Sequence, residues 1–360
     1  TLNVLNKNFK FNFKIIDFKK FKKFKTIALI GMGGSILGAE AINDFLQIKV
    51  KKKNYFFNNL DEDKIINFKK KENLSKLLFI IISKSGNTIE TLSNTFALNI
   101  IKKRSKNVII ISEKKNNFLF SLSQRLDLFY VEHKNFVGGR YSVLSEVGII
   151  PAYLMGINIS KLRSNILDFL KGKNKTFLEK NTIELANLMS SKKFSNLIFL
   201  NYSPELEKFL YWCQQLIAES LGKKGKGFFP TISNAPKDHH SLLQLYLDGP
   251  KDKLFYIFSY KNKDKKKIIF KKIDKKLDFL NNKSLDQVKM AQKNAFIEVL
   301  KNKKIPFREF ELKEIDETVI GELFSYFILE TAIMGLLNQV NPFDQPAVEQ
   351  VLINTKKLLI

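Results

Sequence analysis

A single cysteine, Cys213, excludes any internal disulfide, so the fold rests on its core, and a reducing compartment is compatible with it. Histidine is scarce as well. Two of the three histidines, His239 and His240, are adjacent, and neighbours in sequence point in different directions. With no cysteine or third histidine nearby, zinc is excluded and no metal site is expected. No uninterrupted run of about 18 apolar residues is present, so no membrane span is expected. The first 25 residues are rich in Lys, Asn and Phe and lack the compact apolar stretch of a secretory signal. Because the chain opens on Thr1 rather than Met, a native start is expected to be missing.

Arginine is the most informative scarcity. The formal charge is +26, a value that first suggests nucleic acid. Yet the basic residues are nearly all lysine, with arginine only at Arg104, Arg125, Arg140, Arg163 and Arg308. Readers of bases and clamps on phosphates favour the bidentate fork of arginine. Lysine runs such as 51–53 and 265–267 lie between apolar segments and read as solvated loops or helix ends. No nucleic-acid partner is expected. A positive surface would still attract anionic substrates.

At 360 residues, 44% hydrophobic and 27% charged, the chain is globular and long enough for two cores. Apolar runs at 27–30, 77–82, 108–111 and 128–131 read as buried strands, separated by helical patterns near 36–46 and 89–102. This is the alternation of a parallel α/β unit. A polar stretch at 171–175 follows, and the pattern restarts with strands predicted at 197–200, 254–258 and 306–311. Two α/β domains, 1–170 and 171–340, are expected, with a C-terminal helical tail over 341–360.

Two turns in the first half point to a ligand. Strand 27–30 runs into Gly31-Met32-Gly33-Gly34-Ser35 and then a helix. Glycines there let a backbone pass close to a ligand, and a helix start offers free N–H groups. A tight turn with no ligand explains the same residues. The third glycine of a dinucleotide fingerprint is missing, since position 36 is Ile36, and no P-loop follows. Strand 77–82 runs into Ser83-Lys84-Ser85-Gly86-Asn87-Thr88. Three hydroxyls, backbone amides and a helix start match the acceptor oxygens of a phosphate monoester. Ordinary capping, with Asn87 and Glu90 as a capping box, is the plainer alternative. Open α/β sheets bind ligands beyond the carboxyl ends of their strands, where both turns lie.

In the second half, Ser203-Pro204-Glu205 reads as a helix start and Gly222 as its stop. An apolar stripe carrying Cys213 faces the core, so that thiol reads as structural. Gln215 and Glu219 lie four apart on another face, beside Trp212. They face either solvent or a cleft. In a cleft Glu219 is a candidate general base. His239 and His240, in a predicted turn after Asn234-Ala235-Pro236, offer an acid–base group or an idle surface pair.

Taken together, Gly31–Ser35, Ser83–Thr88, Gly138-Gly139-Arg140-Tyr141-Ser142, 215–223, His240 and Asn341-Pro342-Phe343-Asp344-Gln345-Pro346 resemble the glucose-6-phosphate isomerase family, in that family's order and across most of the chain. The resemblance implies two sugar-isomerase (SIS) domains, each a parallel sheet sandwiched by helices, in a short form with a reduced N-terminal region. It implies a cytoplasmic enzyme that interconverts glucose 6-phosphate and fructose 6-phosphate by ring opening and proton transfer through an enediolate, with no cofactor. Gly34 and Ser35 resemble the sugar-contacting turn. Ser83, Ser85 and Thr88, with the Lys84 backbone, resemble the phosphate cradle. Gln215 and Gln345 resemble substrate contacts, Arg140 the cation on the enediolate, and Glu219 the base. His240 resembles the ring-opening histidine, which implies a homodimer because that residue reaches in from the other subunit. The family's helper lysine is replaced by Leu352, which the apolar spacing of Val348, Val351, Leu352, Leu358 and Leu359 places on an inward stripe. Two other readings stay open: a non-catalytic sugar-phosphate sensor, and an isomerase that also accepts mannose 6-phosphate.

Overall fold

The computed structural model describes residues 1–261, 266–269 and 275–360. Lys265, in one of the lysine runs, lies outside the described residues. A short helix α1 (Ile15–Phe18) leads to strand β1 (Thr26–Ile30), helix α2 (Leu37–Phe45), β2 (Lys53–Phe57) and α3 (Glu62–Lys71). The first half continues through β3 (Leu77–Ile82), α4 (Ile89–Ala97), β4 (Val108–Ser112), α5 (Phe118–Leu126) and β5 (Phe129–Glu132). Helices α6 (Glu146–Met155), α7 (Ile159–Leu162) and α8 (Gly172–Ser190) lead into the second half. There β6 (Asn196–Asn201), α9 (Glu207–Leu221), β7 (Phe229–Asn234), α10 (His239–Asp248) and β8 (Lys253–Tyr260) follow. The chain ends with α11 (Leu285–Asn302), β9 (Phe307–Leu312), α12 (Glu317–Leu337) and α13 (Glu349–Leu358).

Both described sheets are parallel, in the orders β2-β1-β3-β4-β5 and β7-β6-β8-β9. Parallel strands need crossovers, and these bring helices to both faces. Alternation along each strand divides its side chains accordingly. Leu78, Ile80 and Ile82 of β3 enter a core shared with β6 and β8, whereas Leu77, Phe79 and Ile81 meet Ile65, Phe68 and Leu119 on the outer side. In β6, Leu197 and Phe199 join the shared core, and Ile198 and Leu200 pack toward Phe296 and Leu300 of α11. Helices α2, α6, α9 and α12 therefore lie between the two sheets, with side chains from both halves in one continuous core. The expected α/β fold with paired parallel sheets is the observed one. Helix α12 is long and apolar enough to cross a membrane, but it is mostly buried inside the fold.

Sequence and structure differ where local pattern is weak. Strands β2 and β7 were not anticipated. Each is an edge strand interrupted by polar residues, Lys53 and Asn54 in one and Thr231 and Ser233 in the other. The helix expected over 89–102 ends at Ala97, with Asn99 left-handed at φ 53°. Lys53, expected in a solvated loop or at a helix end, starts β2 and pairs with Glu72 at 2.6 Å. The expected turn at His239–His240 is the first turn of α10, because Asp238 accepts the Asn234 N–H at 2.7 Å and closes the turn before it. Cys213 is fully buried, and burial drives its thiol pKa up, in keeping with a core role.

His133, just past β5, is buried, with Nδ1 donating to the Lys134 carbonyl at 2.9 Å. Burial pushes its pKa from 6.5 down to about 4. An unfolded histidine titrates near 6.5, so between that pH and about 4 the unfolded chain binds a proton that the folded chain refuses. Stability is expected to fall as pH drops through this window, by up to ~3 kcal/mol from this group. Urea midpoints at neutral and acid pH should converge in His133→Asn relative to the parent; an unchanged acid slope would contradict this assignment.

Candidate active site

The order β2-β1-β3 places a topological switch point between β1 and β3, and the turns after these two strands flank it. Gly31, past β1, lies against the Ile82 carbonyl at the end of β3, 3.0 Å from where a Cβ would stand. The glycines of this turn admit protein as well as ligand. A Cβ at Gly34 would lie 2.3 Å from the Gly139 carbonyl and 2.6 Å from Arg140 N. Gly33, left-handed at φ 51°, would put a Cβ 2.5 Å from Gln215 Nε2. The turn through Ser35 is thus pressed onto Arg140 and onto α9 of the second half.

After β3 the three hydroxyls converge. Ser83 Oγ lies 2.8 Å from Thr88 Oγ1, Ser85 Oγ lies 3.3 Å from Thr88 Oγ1, and the two serines are 3.5 Å apart. The Gly86 and Asn87 amides donate to Ser83 Oγ and Ser85 Oγ, each at 3.2 Å. Thr88 caps α4 without a side-chain bond to it. The capping box of Asn87 with Glu90 does not form, because Asn87 Oδ1 accepts the Phe118 N–H at 2.9 Å instead. Unclaimed first-turn amides beside clustered hydroxyls suit an anion with several acceptor oxygens. The Lys84 ammonium stands 3.5 Å from Glu113 Oε1, which offsets its charge.

Helix α9 starts after the Pro204–Leu206 turn and stops at Gly222, and it carries both residues picked out above. Gln215 Nε2 donates to Glu219 Oε1 at 2.9 Å, and Arg140 Nη1 lies 3.1 Å from Glu219 Oε2. Gln215 Oε1 is buried with no hydrogen-bond partner among the described residues. A native buried acceptor of this kind needs a partner, and a ligand hydroxyl would supply one.

Arg140 is only 4% exposed and every nitrogen is engaged. Nε donates to Ser220 Oγ at 2.8 Å. Nη1 also donates to Gln345 Oε1 at 2.8 Å, and Nη2 to the Pro342 and Asp344 carbonyls at 2.7 and 2.8 Å. Arg140, Gln215, Glu219, Ser220 and Gln345 therefore form one network, which spacing alone anticipated only for the Gln215–Glu219 pair. Ser220 and Tyr141 were missed as supports. Tyr141 OH donates to the Pro342 carbonyl at 3.0 Å, which leaves Ser220 Oγ to donate its own proton to Tyr141 at 2.9 Å. Lys223 Nζ adds bonds to the Asn341 and Asp344 carbonyls at 2.5 and 2.6 Å. All three lie inside motifs already noticed, but their roles depend on a loop far away in sequence.

His240 is exposed at the start of α10, and among the described residues its ring makes no hydrogen bond to this network. Its neighbour His239 is tied by Nε2 to Tyr202 OH at 2.8 Å. The inward stripe expected on the last helix is a correction. No residue of α13 is buried, and Leu352 is 47% exposed. The helix keeps its apolar side chains exposed, so their spacing reflects amphipathicity rather than a core face. A lysine at position 352 would stay hydrated. Leu352→Lys is therefore expected to leave the melting temperature unchanged, and a marked drop would restore the buried placement.

Comparison with known proteins gives a consistent result. Residues 7–356 match the phosphoglucose isomerase family. The chain is 34% identical over 354 residues to the glucose-6-phosphate isomerase of Methanocaldococcus jannaschii, covering 92% of this chain and 84% of that protein. It is 33% identical over 381 residues to the glucose-6-phosphate isomerase of Campylobacter jejuni, covering 100% and 90%. Among solved structures, a hypothetical protein, TT0462, from Thermus thermophilus superposes with TM-score 0.86 at 25% identity, covering 96% of this chain and 87% of that one. A glucose-6-phosphate isomerase from Chlamydia trachomatis superposes at 0.74 and 18% identity, covering 96% and 71%, a likeness of fold.

Proposed function

We infer the activity from one premise: the chain belongs to the phosphoglucose isomerase family. It interconverts glucose 6-phosphate and fructose 6-phosphate. The observation that carries this reading is the contact of Arg140 with both Glu219 and Gln345, three residues from separate parts of the sequence.

The chemistry divides among these groups. The Ser83–Thr88 turn holds the 6-phosphate, remote from the reacting carbons, and its binding energy positions C1 and C2. Gly34 and Ser35 line the sugar, and Gln215 offers its free buried carbonyl to a hydroxyl. His240 opens the ring. Glu219 takes the proton from C2 of the open aldose and returns it to C1, while the C2 hydroxyl gives up its proton and O1 gains one, leaving the ketone at C2; the ketose reacts in reverse. Arg140 stabilises the negative oxygen of the enediolate between these steps. His240 is supplied by a second copy of the chain, a reading supported by its exposure and its lack of a bond to Glu219 within one chain. A homodimer and a cytoplasmic location belong to the same reading, as do SIS-domain boundaries near 170 and 340.

The test is a coupled assay of the purified chain with fructose 6-phosphate, followed by mannose 6-phosphate. Turnover of the first is expected. Turnover of both would establish dual specificity. Tight binding of sugar phosphate without turnover would establish a sensor and overturn the isomerase reading.

A further inference from the structure

The amino end of α5 is turned onto the hydroxyl-rich turn. The first amides of any helix have no partner inside it. In α5 each of the first three finds one. Phe118 N–H donates to Asn87 Oδ1 at 2.9 Å, Leu119 N–H to the Gly86 carbonyl at 3.1 Å, and Phe120 N–H to Asn117 Oδ1 at 2.9 Å. Two of these three acceptors belong to the turn that follows β3.

Asn117 joins the two segments. Its Nδ2 donates to the Glu113 carbonyl at 2.8 Å, and the Glu113 N–H in turn donates to the Lys84 carbonyl at 3.1 Å. Its Oδ1 lies so close to Gly86 that a Cβ there would stand 1.8 Å away. Gly86 is left-handed, at φ 69°, so both its conformation and its contact demand glycine. Asn117 is buried, whereas Asn87 is exposed and commits its side chain to α5. Neither side chain belongs to the converged set of hydroxyls.

The arrangement separates two helix starts that would otherwise compete. The first amides of α5 are consumed by the turn and by Asn117, while α4 begins at Thr88 without a side-chain cap. Only α4 keeps its amino end for an anion.

We propose that Asn117 and Asn87 are positioning residues for the phosphate cradle, clamping Gly86 and Asn87 onto the start of α5 so that Ser83, Ser85 and Thr88 stay converged. This rests on reading the turn as the 6-phosphate site. Preorganised donors bind without a reordering cost, and loosening them should weaken the grip on phosphate more than it slows the chemistry.

The experiment uses Asn117→Ser and Asn87→Ala. Serine still caps α5 but loses the donor to Glu113 and the packing on Gly86. Alanine at 87 removes only the acceptor for Phe118, at an exposed position, so the fold is spared. Steady-state kinetics with fructose 6-phosphate and titration with inorganic phosphate are run on each purified protein. The KM and the dissociation constant for phosphate are expected to rise together, on the order of 10-fold, with a much smaller change in kcat. Direct phosphate titration separates this claim from the isomerase reading. If no protein turns over substrate but both variants lose phosphate affinity, the clamp stands and the isomerase reading fails. Unchanged KM and phosphate affinity in both variants would overturn the clamp, as would a fall in kcat alone or a change confined to melting temperature.

Discussion

Glu219→Gln should abolish measurable isomerisation while leaving sugar-phosphate binding nearly intact. Glutamine matches the shape of glutamate and can still accept from Arg140 Nη1, which now lies 3.1 Å from Oε2. Its new NH₂ group would face Gln215 Nε2, which donates to Oε1 at 2.9 Å. Gln215 can rotate its amide and present Oε1, so the network survives with its donors reversed. What cannot survive is proton transfer, because an amide is no base. One acid–base group contributes about 10²–10⁴-fold, and here it is the group that takes the carbon-bound proton, so the loss should lie at or beyond the upper end. The phosphate site is built from β3 and α4, so affinity for a 6-phosphate inhibitor such as a phosphorylated sugar acid should fall only slightly, by what the turned Gln215 amide costs its sugar contact. Turnover close to the parent's would remove Glu219 from its role as base.

Arg140→Lys should be nearly as damaging despite conserving charge. A lysine ammonium has three donors at one point, whereas Arg140 spreads its bonds over Ser220, Glu219, Gln345 and two carbonyls of the 341–345 loop. No single position of an ammonium reaches them all. Two losses follow. The developing oxyanion loses the guanidinium charge held fixed beside it, which costs roughly 10²–10³-fold in kcat. The loop carrying Gln345 also loses three of its hydrogen bonds and keeps those from Lys223 and Tyr141. Lower kcat with a modest rise in KM is expected, together with a small fall in melting temperature. A variant with parental kcat that is merely less stable would make Arg140 a structural arginine.

These two residues also mark how far the sequence could be read. Strands β1, β3, β4, β6 and β8 are nearly pure apolar runs because parallel strands are buried on both faces, and such runs stand out. The edge strands β2 and β7 mix polar residues into that pattern and were missed. The hydroxyl turn was legible because its chemistry is contiguous over six residues. The Arg140 network was not, since its members come from the segment before α6, from α9 and from the loop before α13, and spacing says nothing about their meeting. Resemblance to a family grouped Arg140, Gln215, Glu219 and Gln345, but it left out Ser220, Tyr141 and Lys223, whose work lies in holding the others. Periodicity misled at α13. An apolar stripe there looks like a core face, yet no residue of the helix is buried.

The central claim is that these residues move a proton between adjacent carbons of a sugar 6-phosphate. Its most direct test is proton NMR of the purified chain with fructose 6-phosphate in D₂O. The account predicts that glucose 6-phosphate appears and that deuterium from solvent enters at C2, as a base exchanging its proton with water requires. Unchanged fructose 6-phosphate, with no exchange at C1 and the sugar phosphate bound, would contradict it.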